Sequence, residues 1–198
     1  MMDASTAHPP SRQPHARRAR SMGARVRAFR RDQQGVAAIE FGLVALPFFA
    51  LLFAILETAL VFWTTQVLET AVADAARTIY TGQFQQNAAN AGQSSAQLAE
   101  RFRDAVCADF KAVVDCKSMI KVDVRTFDSF PDTSVPSPIK NGQFDSSGFG
   151  YQAPGPDKIV VVRAAMEYPV LVPLTQVSNL SNGKRLIMAS AAFRTEPF

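Results

Sequence analysis

Phe41–Trp63 reads FGLVALPFFALLFAILETALVFW, and its first sixteen residues, Phe41–Leu56, carry no charge. At ~1.5 Å per helical residue the stretch extends about 34 Å, enough to cross a ~30 Å hydrocarbon layer with some tilt. Phe62 and Trp63 fall where an interfacial aromatic belt is expected. Pro47 lies inside the run. Membrane helices accommodate such a proline by local kinking, so a bend near Phe41–Leu43 is expected rather than a break.

Upstream, residues 1–35 hold eight arginines (Arg12, Arg17, Arg18, Arg20, Arg25, Arg27, Arg30 and Arg31) against Asp3 and Asp32. The rest of the 198-residue chain has 13 basic and 15 acidic groups, so the basic pI belongs to the N-terminal tail. A charge block of this kind beside an apolar span orients it with the N-terminus in the cytoplasm and everything after Trp63 outside. The polar, Pro-punctuated tail has no hydrophobic period to bury and is expected to be disordered or to skim the membrane. Phe29 is its only aromatic, which argues against nucleic-acid binding. A cleaved secretory signal fits poorly. Its apolar region is shorter, and the nearest A-x-A matches, from Ala71, lie well past Trp63.

Downstream the helix is expected to continue. Leu68, Val72, Ala75 and Ile79 recur at steps of four, three and four, with Ala71 and Ala76 keeping the surface small, and Gly82 is a plausible stop. Such a stripe serves equally as a seam between subunits or as a face packed on the protein's own folded part. Residues 82–94 read as a polar linker. Ser94 or Ser95 then caps a second helix carrying Leu98, Phe102, Ala105, Val106, Phe110 and Val113.

Met119–Phe127 alternates, with Ile120, Val122 and Val124 on one face and Lys121, Asp123 and Arg125 on the other, as a half-buried strand does. Lys158–Tyr168 is the strongest strand signal, with a possible extension through Val170–Val172, and Leu186–Arg194 is a weaker third. Between the first two lies Asp128–Asp157, a loop with five Pro and four Gly, long enough to suggest a functional role.

The fold class expected is α+β: a long N-terminal transmembrane helix continuing outside the membrane, and a second helix packed on a small three-stranded antiparallel sheet. The divisions are 1–35, a basic leader; 36–81, the membrane and continuing helix; 82–94, the linker; and 95–198, the exported part with its 128–157 loop.

Cys107 and Cys116 fall on the exported side, where disulfides persist. Nine residues of unbroken helix would hold them ~13 Å apart, whereas a disulfide needs Cα atoms within ~7 Å. Either the helix ends before Cys116 and the chain folds back, or the thiols stay apart; export favours the bond. Both histidines, His8 and His15, lie in the tail, so the body of the protein has no Ser–His or Cys–His pair and no His-based metal site. No metal-ligand cluster, phosphate loop or cofactor motif is present in the sequence. No enzyme and no cofactor is expected.

The most informative residues are Gln34-Gly35-Val36-Ala37-Ala38-Ile39-Glu40-Phe41, a glycine at the mouth of the apolar helix with a carboxylate five positions on. Taken alone, Glu40 would merely snorkel to the headgroup layer. The combination resembles the type IV prepilin processing site. The stretch from Gly35 to Arg77, with its AAIEF core, the Leu46-Pro47 pair, Glu57 late in the span and the Ala-rich ending, resembles the TadE-like family, pseudopilin-type components of tight-adherence (Flp) pilus systems. The 35-residue leader is longer than that family's pattern, and initiation at Met22 would shorten it to Met22–Gly35.

The resemblance implies cleavage between Gly35 and Val36 by a prepilin peptidase. It also implies pairing of the Glu40 carboxylate with the amine of a neighbouring subunit, and helix contacts through Phe41, Pro47 and Glu57. For Glu57 the residues allow two placements, interfacial beside Trp63 or against a partner helix. The implied partners are inner-membrane lipid, the prepilin peptidase and other pilin or pilus-assembly subunits, with no nucleic acid. The implied location is the bacterial inner membrane, single-pass, with the C-terminal domain extracytoplasmic. The competing function is a single-span anchored sensor or ligand-binding module whose N-terminus stays intact and whose site is the 128–157 loop.

Overall fold

The computed structural model describes residues 23, 35–110, 115–171 and 178–198. The Arg-rich tail, apart from residue 23, lies outside them, as do Val113 and Val172. Chain contacts divide the protein into two units, 1–48 and 49–198, with the folded core in the second.

Helix α1 (Val36–Tyr80) is one continuous α-helix across Pro47. It is long and apolar enough to cross a membrane. Threonines along it return their hydroxyls to the helix: Thr58, Thr64, Thr65 and Thr70 each donate to the carbonyl four residues back, which satisfies them without water. The helix stops at Tyr80, and Gly82 takes the left-handed conformation, φ 75°. A Cβ there would run into the ring of Phe198, so a side chain at 82 is excluded by strain and by space.

What the composition presents as a linker contains helical turns at Gln83–Gln86 and Ala88–Asn90. The reason is Phe84, which is buried with its ring 5.8 Å from Phe102 and 5.4 Å from Tyr151. Helix α2 (Ser95–Asp109) opens with a capping box. The Ser94 amide donates to Gln97 Oε1 at 2.9 Å, and the Gln97 amide donates to Ser94 Oγ at 3.4 Å.

Strands β1 (Lys121–Phe127), β4 (Ile159–Tyr168) and β5 (Arg185–Arg194) form an antiparallel sheet in the order β1-β4-β5. Between β1 and β4, Ile139–Lys140 (β2) and Gln143–Phe144 (β3) make a small hairpin through Asn141 and Gly142, both at positive φ. Val122, Val124, Val160, Val162, Ala164, Met166, Ile187 and Ala189 point to one face of the sheet. They join Leu68, Val72 and Ile79 of α1 and Phe102 and Val106 of α2 in one buried cluster. The protein is thus the α+β arrangement expected, a long helix and a second helix with a three-stranded antiparallel sheet.

α2 ends at Asp109, and Cys116 begins a separate turn, Cys116–Met119. That break brings the Cα atoms of Cys107 and Cys116 to 5.7 Å and allows the disulfide. Closing so short a loop restricts the unfolded chain and stabilises the fold by about 2–3 kcal/mol. Replacing both cysteines by serine should therefore lower thermal stability by that amount, and reductant should reproduce the loss in the wild type. An identical melting curve with and without reductant would show that the bond contributes nothing.

Candidate functional site

The glycine–carboxylate pattern stands at the head of α1. Gly35 immediately precedes Val36, the first helical residue, and Val36 and Glu40 are both exposed. A Cβ on Gly35 would meet nothing within 4 Å, so the fold itself does not require glycine there. Phe41 is 72% exposed and Pro47 is exposed. Gln34 and the arginines before it lie outside the described residues.

From Glu57 onward one side of α1 is buried. Leu68, Val72, Ala75 and Ile79 are all packed within the chain, with Ala71 and Ala76 beside them. Of the two uses open to this stripe, the structure shows the internal one, because the sheet and α2 offer an apolar face of matching length.

Neither placement of Glu57 anticipates the partner it has within its own chain. It is 1% exposed and accepts the backbone N–H of Leu171 at 2.6 Å, just beyond the end of β4. The nearby Tyr168 hydroxyl is pushed above its ordinary pKa by burial and then by the Glu57 carboxylate. Glu57 therefore turns into its own chain. Its carboxylate binds the turn that follows β4.

A second buried ionic site lies on the far face of the sheet. Alternation placed Asp123 and Arg125 on a polar face, yet Asp123 is 2% exposed. The 128–157 loop covers that face. Asp123 sits opposite Arg163 in the β1–β4 register, and the Arg163 guanidinium binds its carboxylate through Nε at 3.2 Å and through Nη2. Arg125 Nε donates to the same carboxylate at 3.1 Å, and the Gly150 amide does so at 3.2 Å. The two arginines also hold the loop directly: Arg163 Nη1 donates to the Pro136 carbonyl and Arg125 Nη2 to that of Gly148, both at 2.8 Å. Phe149 stacks 5.1 Å from the Arg163 guanidinium carbon.

The loop then runs beside β1, with Val124 N–H donating to Gly150 O and Gln152 N–H to Val124 O, which closes an otherwise open sheet edge. Within the loop, hydrogen bonds from Lys140 and then from Ser147 hold the Asp145 carboxyl well below the usual carboxylate range. Sequence periodicity missed this site. The available signal was an aspartate and an arginine in the middle of two strong strands, positions where such residues are disfavoured unless paired.

With this geometry in view, the family comparison is specific about place. The model of TadE-like proteins matches residues 35–77, from the glycine before α1 into the last turn of the buried stripe. No curated protein and no solved structure matches the chain. The likeness to TadE-like proteins is thus confined to Gly35–Arg77, which carries the glycine–carboxylate pattern and the apolar run of α1.

Proposed function

We propose that the protein is a membrane-anchored pseudopilin-type component of a tight-adherence pilus system, cut by a prepilin peptidase between Gly35 and Val36. The observation that carries this reading is the TadE-like match beginning at Gly35, on a helix whose first turn is exposed. α1 spans the inner membrane with the N-terminus in the cytoplasm, and the α+β part faces outward toward other pilus-assembly subunits. Its role is structural, not enzymatic. Cleavage removes a leader of net charge +6 and frees the Val36 amine. A neighbouring subunit's Glu40 carboxylate then offsets that new charge where helices assemble in the membrane.

The competing module reading needs an accessible site in the 128–157 loop. Asp123, Arg125 and Arg163 beneath the loop are instead engaged with one another and with its backbone, which favours a structural role for it.

N-terminal sequencing of the membrane fraction should return Val36, and a reporter fused after Phe198 should be active only outside the cytoplasm. An intact Arg-rich N-terminus with the same topology would favour the anchored module. A cytoplasmic reporter signal would reverse the orientation.

A further inference from the structure

Burial along the Glu57 face of α1 stops abruptly. Val61, Thr64 and Leu68 are buried, but Phe53, one turn before Glu57 on the same face, is 52% exposed. Glu57 therefore marks the edge of the folded domain on the helix. With Trp63 at the interfacial belt, Glu57 lies six residues, or about 9 Å, deeper in the span. Helical side chains lean toward the helix N-terminus, so its carboxylate points deeper still. At 2.6 Å from that carboxylate is the Leu171 amide, and the Leu171 side chain is 66% exposed. Pro169 beside it is also exposed.

A chain segment at this depth must have its backbone groups satisfied internally and present apolar side chains outward. The Pro169-Val170-Leu171 turn is uncharged, its Leu171 amide is taken by Glu57, and its leucine faces out. We propose that this turn is a second membrane contact, in which Leu171 enters the acyl region of the outer leaflet, below the level of Trp63. Glu57 tethers it there by accepting its amide. The contact continues the lipid-facing surface of α1 and would fix the tilt of the exported domain on the bilayer. It rests on the reading of α1 as a membrane span.

The chain has a single tryptophan, Trp63, which permits a test of both readings. The full-length protein is reconstituted into phosphatidylcholine vesicles with and without brominated acyl chains, as wild type and as Trp63→Phe/Leu171→Trp. The introduced indole should emit at shorter wavelength than in water and lose at least as much intensity to bromolipid as Trp63 does in the wild type. Adding Glu57→Ala should reduce that quenching while the Trp63 signal of the Glu57→Ala single variant is unchanged. If Trp63 is quenched by lipid while the indole at 171 is reached by aqueous iodide instead, the inference falls and the anchor stands. A blue-shifted indole at 171 that bromolipid does not quench would mean that protein covers the turn, which also overturns the lipid contact. Quenching at neither position would remove the membrane span and the inference together.

Discussion

Gly35→Leu is expected to abolish processing, leaving the whole population at full length, whereas Glu40→Ala should still yield the shortened form. The two effects separate because the residues act at different stages. A Cβ at Gly35 meets nothing within 4 Å among the described residues, so the fold does not itself call for glycine there. The effect of leucine then falls on the peptidase, which has to accommodate position 35 at the scissile bond.

Glu40 acts after the cut, offsetting the Val36 amine of a neighbour, so its loss should impair assembly or adhesion. Removing one member of a fully buried ion pair costs ~3–5 kcal/mol, and of a solvated one ~0–1 kcal/mol, so the assembly defect measures how dry the site is. An immunoblot for the 35-residue shift beside an adhesion assay reads both. If Gly35→Leu migrates like the wild type and both variants adhere normally, the processing reading fails and the anchored module replaces it.

The largest stability effect should come from Asp123→Ala. It leaves the Arg163 guanidinium buried under the 128–157 loop without its counter-charge and removes the acceptor of the Gly150 amide. The expected cost is ~3–5 kcal/mol. For a folded part of this size that corresponds to a fall of roughly 6–20 °C in melting temperature. Near-UV circular dichroism in detergent would follow it, and limited proteolysis should show new cleavage within 128–157.

The control is Asp123→Leu with Arg163→Met. Removing the two buried charges lifts their desolvation penalty, while Arg125 and the Gly150 amide still lose their acceptor, so this double variant should recover part of the lost stability. Should Asp123→Ala melt with the wild type, the cluster would not be what holds the loop.

The secondary structure was legible because its signals are local. The sixteen uncharged residues from Phe41, the stripe through Ile79, the serine cap at Ser94 or Ser95 and the alternation in β1 and β4 each act within a few residues of chain. Strand limits agree to within two residues for the same reason: a period of two reports directly which side chains face a core. The disulfide was half legible. Chain geometry required a break only if Cys107 and Cys116 bond, and the end of α2 at Asp109 shows that the break is there. The Asn141-Gly142 pair is a turn signal, but strands of two residues leave no periodicity to support a hairpin there.

What the sequence by itself determined is a charge-flanked apolar helix led by Gly35 and Glu40, followed by an α+β domain on its far side. Tertiary structure alone decided the fate of the buried charges. Asp123 and Arg163 are 40 residues apart in the chain, and Glu57 and Leu171 are separated by 114. Alternation assigns Asp123 to a polar face, and the residues around Glu57 assign it to an interface or a partner helix. Only the fold brings a loop over one face of the sheet, and the turn after β4 against α1. There the carboxylate of Asp123 finds an arginine and that of Glu57 finds an amide, because an acid removed from water without such a partner would cost more than the fold can supply.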